Sequence, residues 1–312
     1  IGRAGAGVDN IDVPAATKQG IIVVNTPGGN TISTAEHTFS LLLSLSRYIP
    51  QAVQSLKENR WERKKYTGVE VAGKTLGIIG LGKVGREVAR RAKAFGMQIL
   101  AYDPFVSVEI ADTIGAEVTD LERIYAESDY ISVHTPLTEE TRNLISDREF
   151  EKCKDGVRII NCARGGIIDE EALLRAIENG KVSGAALDVY ETEPPTNRKL
   201  LERPEVICTP HLGASTEEAQ SNVAMEVAEE VLDALHGRPV RNAVNLPPID
   251  PVVYEQIKDY LDLAEKIGSL QAQLSGGQIA SVRVEYRGEL LKYPTSPITA
   301  SVMKGILKNT CE

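Results

Sequence analysis

Short apolar runs alternate with helix-like stretches along the chain from Thr75 onward. Most of these runs are continuously apolar, as in strands that are buried on both faces of a parallel sheet, whereas half-exposed strands alternate. The pattern therefore predicts a doubly wound α/β domain with a parallel sheet. The runs are "TLGIIG", "MQILAYD", "YISVHTP", "VRIINCA", "VSGAALDVY" and "EVICTPH".

The segments on either side of this region have a different pattern. Before it lies a helix-like "STAEHTFSLLLSLSRYI", interrupted at Pro50, and after Gly213 a long helical stretch ends at Gly237. The prolines of "RPVRNAVNLPPIDP" then indicate a linker. Beyond the linker come helical periodicity and the alternating run "IASVRVEYRGEL", which predict a helix and a strand of a third α/β unit.

Composition limits the classes of partner. The 312 residues carry 35 lysines and arginines against 44 aspartates and glutamates, a formal net charge of −9. Such an acidic surface disfavours nucleic acid and anionic membrane surfaces as partners. The longest apolar run, "FSLLLSLS", is shorter than the roughly 20 residues that span a bilayer, and no leader-like segment opens the chain. We therefore expect a cytoplasmic protein.

The cysteines and the chain ends add little chemistry. Cys153, Cys162, Cys208 and Cys311 show no C-x-x-C spacing, so we expect neither a metal site nor a disulfide framework, but buried, reduced thiols. The chain opens on "IGRAGAGVDN" without Met and closes within a helix-like segment. We expect both ends to be cuts.

A dinucleotide-binding turn follows the first apolar run. Gly80, Gly82 and Gly85 have G-x-G-x-x-G spacing, which allows a tight turn, close approach of a pyrophosphate to the backbone and close helix packing. Asp103 ends the next run, about 20 residues further on, where a carboxylate accepts bonds from ribose hydroxyls. No arginine follows it closely. The pattern predicts a Rossmann-like fold that binds NAD rather than NADP.

One histidine stands out as a general base. His211 follows a predicted strand, at the sheet edge where ligands bind in such folds, and an imidazole suits the proton that leaves an alcohol during hydride transfer. Glu193, held by two prolines, is a candidate counter-charge for the imidazolium, or simply one of several loop acids. We interpret His37 as a polar surface residue, and His134 as a crevice or core residue.

Arg164 places a fixed positive charge where a buried strand ends. A guanidinium can hold a carboxylate with two parallel bonds and polarise an adjacent carbonyl. Together with Glu193 and His211, it forms a predicted catalytic trio. Without those two residues, pairing with Asp169 across the turn is the leading interpretation.

These motifs together resemble the NAD-dependent D-isomer specific 2-hydroxyacid dehydrogenases. The resemblance covers nearly the whole chain, and the family's catalytic Arg, Glu and His match Arg164, Glu193 and His211. It rests on "GRAGAGVDNID", "NTPGGNTISTAEH", "WERKKYTGVEVAGKTLGIIGLGKVGREVA", "AYDP", "VHTPLTEETRNLI", "INCARGGIIDEEAL", "GAALDVYETEPP" and "TPHLGAST".

The resemblance also implies binding residues beyond the trio. The implied cofactor contacts are Ala6, Gly80, Gly82, Lys83, Val84, Gly85, Asp103, Thr135, Cys162, Ala163, Arg164, Asp188, Gly213 and Ala214. The implied substrate contacts are Arg3, Gly5, Gly7, Asn30 and Arg63.

For activity, the resemblance implies oxidation of 3-phosphoglycerate to 3-phosphohydroxypyruvate with NAD, the first step of serine biosynthesis. The alternatives are a reductase of glyoxylate, hydroxypyruvate or another 2-oxo acid, and an NAD-sensing corepressor-like protein. A homodimer or homotetramer is implied. Most of the first half of the family's substrate domain would precede Ile1. We therefore expect these 312 residues to bind NAD but to turn over substrate poorly.

The implied domains are four segments of the chain. They are a remnant of a flavodoxin-like substrate domain (1–28), an NAD-binding domain (29–213), a return helix to the substrate domain (214–245) and the start of an intervening α/β regulatory domain (246–312).

Overall fold

The computed structural model describes residues 1–246, 249, 251–275 and 279–308. Contacts divide the chain into two compact units, residues 28–221 and residues 1–27 with 222–312. The strands are β1 (Gly2–Arg3), β2 (Val24–Asn25), β3 (Thr75–Ile79), β4 (Gln98–Tyr102), β5 (Glu117–Val118), β6 (Tyr130–Val133), β7 (Val157–Asn161), β8 (Val182–Leu187) and β9 (Val206–Cys208). The helices are α1 (Val13–Lys18), α2 (Thr31–Arg47), α3 (Ile49–Lys57), α4 (Lys83–Ala94), α5 (Val108–Asp112), α6 (Leu121–Glu127), α7 (Asp147–Lys152), α8 (Glu170–Glu178), α9 (Arg198–Leu201), α10 (Glu217–Leu235), α11 (Pro251–Leu274) and α12 (Ser296–Leu307), with a 3₁₀ turn at Gly288–Lys292.

The unit of residues 28–221 is built on a parallel sheet. Its described strands lie in the order β5-β4-β3-β6-β7-β8-β9, and every neighbouring pair is parallel. From β3 the chain adds strands first on one side and then, from β6, on the other. This reversal is the topological switch of a doubly wound fold, so the predicted fold class is confirmed, and a crevice is expected where β3 and β6 end.

The strands are largely apolar because the sheet has a core on each face. Ile79 and Ile159 pack in one cluster, whereas Ile78 and Ile160 pack in the other. All four side chains are fully buried, and burial of such a side chain stabilises the fold by about 1.5–3 kcal/mol. Successive side chains of a strand point to opposite faces, so a strand covered on both sides has no polar face.

The helical segment before β3 breaks at a different place from the one predicted. Tyr48, with φ of 53°, ends α2 in the left-handed region, and α3 begins at Ile49. Pro50 lies in the first turn of α3. A proline fits there because the first amides of a helix have no partner within it. The prediction of an interruption at Pro50 was therefore wrong by two residues.

The unit of residues 1–27 and 222–312 contains the short parallel pair β1 and β2. In the same unit, α11 packs against α12 around Ala264, Ile298 and Val302. The predicted strand in "IASVRVEYRGEL" is not formed: the described residues 279–287 have no regular structure. Val284 and Tyr286 pack alternately against the α11–α12 cluster, which explains the alternating pattern, but no described strand lies beside them to form a ladder.

Among the described residues, no helix combines the length and the apolar character that a bilayer-spanning helix needs.

Candidate active site

The glycine-rich turn joins β3 to α4 at the switch point of the sheet. Gly80 has φ of +98°, and a Cβ there would lie 2.7 Å from the His134 carbonyl group, so the turn packs directly against the loop after β6. Gly82 precedes α4, and no described side chain caps the helix. The first amides of α4, including those of Lys83 and Val84, are therefore available to an anion.

Asp103 and Thr135 lie on either side of this turn. Asp103 Oδ2 accepts a bond from the Leu81 amide (2.8 Å) and Oδ1 one from the Phe105 amide (2.9 Å), which fixes the carboxylate beside the glycine-rich turn. Thr135 Oγ1 is buried and has no hydrogen-bond partner among the described residues. A buried, unpaired hydroxyl is unusual in a folded protein. The anion-binding turn, the carboxylate and this hydroxyl together fit a dinucleotide.

The turn after β7 carries Arg164 and is held by Asn161. The Asn161 side chain accepts a bond from the Ala163 amide (3.0 Å) and donates one to the Arg164 carbonyl (2.9 Å). Arg164 Nη1 donates to the Ala163 carbonyl at 2.6 Å. Burial raises the pKa of the Cys162 thiol to about 12, so this thiol stays protonated at neutral pH. Arg164 thus stands on a closed turn at the carboxyl edge of the sheet.

The loop after β8 packs against this turn with no space between them. A Cβ on Gly165 would lie 1.7 Å from the Tyr190 carbonyl oxygen, so only glycine fits. The Tyr190 hydroxyl donates a bond to the Thr209 carbonyl at 2.8 Å, which ties the same loop to the end of β9. These two contacts link the three segments that carry Arg164, Glu193 and His211.

Glu193 and His211 are hydrogen-bonded to each other at this edge. Glu193 Oε2 lies 2.8 Å from His211 Nδ1, and Glu193 Oε1 accepts a bond from the Tyr190 amide at 3.3 Å. Both side chains are partly exposed, at 39% and 49%. With Nδ1 bonded to the carboxylate, Nε2 is the nitrogen that can exchange a proton with a ligand. The pairing expected from the sequence is thus present.

Asp188 is buried against the turn that carries His211. Its side chain is fully inaccessible and accepts bonds from Thr209 Oγ1, His37 Nε2 and the Leu212 and Gly213 amides. Burial by itself raises the pKa of a carboxyl group, but these bonds outweigh it, and the pKa of Asp188 lies below its ordinary value.

The interpretation of His37 as a polar surface residue was wrong. Its imidazole lies 3.1 Å from both Asp188 and Thr209. His37, Thr209 and Asn161 are the residues that the sequence analysis missed as parts of this edge. Asn161 carried a signal, because it is a polar residue at the end of a buried strand.

The other predicted site residues are spread over both units. Asn30 immediately precedes α2 without a side-chain cap, Arg63 is exposed after α3, and the Ala214 carbonyl accepts a bond from Gln220 at 3.0 Å. Arg3, Gly5, Ala6 and Gly7 belong to the unit of residues 1–27 and 222–312. There, the Gly5 amide donates to Thr26 Oγ1 at 2.7 Å, and the Asn25 side chain donates to the Ala6 carbonyl at 2.7 Å.

Asp169 has a structural role, and the cysteines differ in their exposure. Asp169 caps α8 through the Ala172 amide (2.9 Å) and also accepts a bond from Ser146. Cys153 is buried, like Cys162, but Cys208 is exposed, because β9 is the last strand at its edge of the sheet. The expectation of a buried thiol was thus wrong for Cys208, and Cys311 lies outside the described residues.

Comparison with family models gives two matches. Residues 39–213 match the NAD binding domain of the D-isomer specific 2-hydroxyacid dehydrogenases. Residues 256–312 match the D-3-phosphoglycerate dehydrogenase intervening domain. The first match covers the glycine-rich turn, the trio and Asp188, and so supports NAD as the cofactor of this domain.

Several curated relatives are named D-3-phosphoglycerate dehydrogenase, among them the following two. The protein from Synechocystis is 55% identical over 308 residues, which are 98% of this chain and 56% of that protein. The protein from Bacillus subtilis is 54% identical over 308 residues, 99% of this chain and 59% of that protein. The chain thus spans little more than half the length of these relatives.

Two solved structures share the fold. A glyoxylate reductase from Paecilomyes thermophila is 40% identical with a TM-score of 0.73, over 77% of this chain and 73% of that one. A D-lactate dehydrogenase from Aquifex aeolicus, solved with NAD and lactic acid, is 34% identical with a TM-score of 0.73, over 78% of this chain and 79% of that one. The family-model match and these identities show that the chain belongs to the D-isomer specific 2-hydroxyacid dehydrogenase family.

Proposed function

We propose that the full-length protein oxidises 3-phosphoglycerate to 3-phosphohydroxypyruvate with NAD, the first step of serine biosynthesis. The observation that carries this proposal is the Glu193–His211 pair, 2.8 Å apart at the carboxyl edge of an NAD-binding sheet. Such a pair suits the removal of a hydroxyl proton, and Arg164 follows the strand two places away in the same sheet.

Each of the three residues has a separate role in this proposal. His211 accepts the proton of the 2-hydroxyl group at Nε2, and Glu193, bonded to Nδ1, stabilises the imidazolium that forms. Arg164 binds the substrate carboxylate and stabilises the developing carbonyl oxygen, for which a planar guanidinium has suitable geometry. The glycine-rich turn would hold NAD, which would supply the acceptor for the hydride that leaves C2.

The choice of substrate rests mainly on the family match of residues 256–312. Residues 256–312 match the intervening domain of D-3-phosphoglycerate dehydrogenases, and the Synechocystis and Bacillus subtilis relatives of that name are 55% and 54% identical to this chain. The second candidate is a glyoxylate or hydroxypyruvate reductase, favoured by the 40% identity to a solved glyoxylate reductase. A phosphorylated substrate also requires positive charge, which the exposed Arg63 would supply.

Three further parts of the assignment are proposals of the same kind. The four-segment division of the chain into 1–28, 29–213, 214–245 and 246–312 is proposed on the family resemblance. A homodimer or homotetramer is proposed on the same ground, and a cytoplasmic location on the acidic composition and the metabolic role of the relatives.

The test is formation of NADH, followed by its absorbance, with the full-length protein and 3-phosphoglycerate or unphosphorylated glycerate at matched concentrations. The proposal predicts turnover with the phosphorylated acid and at least a tenfold lower kcat/KM without the phosphate. Turnover is expected to fall by about 10²–10⁴-fold in His211→Ala. Faster reduction of glyoxylate or hydroxypyruvate than of 3-phosphohydroxypyruvate would favour the second candidate instead.

A further inference from the structure

The Asp188 carboxylate anchors the turn that carries His211. It follows β8 and accepts bonds from Thr209 Oγ1 (2.6 Å), the Leu212 amide (2.7 Å) and the Gly213 amide (2.8 Å). The anchored groups precede and follow His211 in sequence. The position of the imidazole therefore depends on a carboxylate that is itself fully buried.

The anchored turn is strained at its centre. His211 has φ of 54°, in the left-handed region that a histidine rarely adopts. A non-glycine residue there is strained, so surrounding hydrogen bonds must hold it. The hydrogen bonds that the Leu212 and Gly213 amides donate to Asp188 hold the turn in this conformation.

His37 completes the anchor from a distant part of the chain. It lies on α2, and its Nε2 is 3.1 Å from Asp188 Oδ1 and 3.1 Å from Thr209 Oγ1. The Thr209 hydroxyl donates its hydrogen to Asp188, so it faces His37 with a lone pair. Both neighbours are then acceptors, and Nε2 must carry a hydrogen that is shared between them.

We propose that His37 is a positioning residue for the base: by donating to Asp188 and Thr209 it fixes the 209–213 turn, and through it the Glu193–His211 pair. The catalytic part of this role rests on the proposed function, in which His211 is the base. The structural part of the proposal, that His37 holds the turn, stands independently of any substrate.

Two variants of His37 separate its hydrogen bond from its bulk. In His37→Gln the side-chain amide replaces Nε2 as a donor, whereas His37→Leu fills similar space without one. Amide hydrogen exchange in full-length protein, measured on the peptide that covers residues 209–213, reports opening of the turn. We expect exchange at least tenfold faster in His37→Leu, and within about threefold of wild type in His37→Gln.

Kinetics give the second measurement. We expect kcat with the hydroxy acid to fall at least tenfold in His37→Leu with little change in its KM, and to recover in His37→Gln. Thr209→Val, which removes the other side-chain donor to Asp188, should accelerate exchange of the same peptide. His236→Leu is the control, because His236 is exposed beyond the end of α10.

The outcomes distinguish the two proposals. The positioning role would be overturned if residues 209–213 of His37→Leu exchanged at the wild-type rate. It would also be overturned if His37→Leu and His236→Leu accelerated this exchange equally. Equal loss of kcat in His37→Gln and His37→Leu would also overturn it, because the donor would then be irrelevant. If the His37 variants showed the expected exchange rates but the wild-type protein showed no turnover, the role of His37 in holding the turn would be supported. Only the proposed function would then be refuted.

Discussion

The Glu193 carboxylate is bonded to His211 through Nδ1, at 2.8 Å, although the two residues belong to the loops that follow different strands. This bond fixes the orientation of the ring and leaves Nε2 for proton exchange. A carboxylate in this position stabilises the imidazolium more than the neutral imidazole, so its charge would favour proton removal by the proposed base.

The charge of Glu193 is therefore expected to matter more than its shape. Glu193→Gln keeps a hydrogen-bonding group but removes the counter-charge, and we expect kcat/KM to fall by about 10²-fold or more. Glu191→Gln is the matched control, because Glu191 is a neighbouring exposed acid. Steady-state NADH formation checks both variants. Equal losses in the two would show that general loop charge, and not the pair, is responsible.

Gly165 is expected to tolerate no side chain. In Gly165→Ala the new methyl group would lie 1.7 Å from the Tyr190 carbonyl oxygen, so the Arg164 turn and the Glu193 loop must separate. We expect a large loss of activity and a free energy of unfolding lowered by about 2 kcal/mol or more.

Gly180→Ala provides the comparison for Gly165→Ala. Gly180 has φ of +80° but open space around it, so its variant should cost only about 1–2 kcal/mol of backbone strain and leave activity unchanged. Denaturant unfolding and NADH formation measure the two effects. Normal turnover in Gly165→Ala would contradict the close contact.

The dinucleotide turn was predictable because its signals are local. Gly80 and Asp103 are close in sequence, and each has a conformational or chemical requirement that few residues meet. The placement of Arg164 and His211 at one edge could be predicted because strand ends of a parallel sheet meet there, so only the strand assignment was needed.

The role of His37 could not be predicted in this way. It is 151 residues from Asp188, on a helix whose polar and apolar pattern does not mark that contact. The prediction of a strand in residues 279–290 was wrong for a related reason. Alternation shows which side chains face a core, but a ladder also requires a neighbouring strand, which sequence pattern does not supply.

The unpaired hydroxyl of Thr135 should serve the cofactor and not the fold. Thr135→Val removes a buried group that has no partner among the described residues, so thermal stability is expected to be unchanged or higher. Loss of one hydrogen bond to a bound nucleotide should raise the Kd for NADH by about 2–10-fold. Fluorescence titration measures this Kd. Thr113→Val, on an exposed hydroxyl, is the control, and unchanged affinity in Thr135→Val would contradict the assignment.

His134 couples the stability of the fold to pH. Its ring lies 2.9 Å from Ser132 Oγ beneath the glycine-rich turn, and loss of solvation lowers its pKa to about 4. In the unfolded chain a histidine has a pKa of about 6.5. Between these two values this histidine binds more protons in the unfolded state than in the folded state, so its contribution to stability rises with pH.

The His134 contribution is therefore fully present above about pH 6.5 and is lost as the pH falls towards 4. Over that range we expect it to remove about 3 kcal/mol of the free energy of unfolding, measured by urea denaturation at several pH values. His134→Gln, which keeps a polar group near Ser132 but does not titrate, should have a flatter pH dependence. His236→Gln removes an exposed histidine and should follow the wild-type curve. If His134→Gln instead followed the wild-type curve between pH 4 and 6.5, a group other than His134 would set the slope.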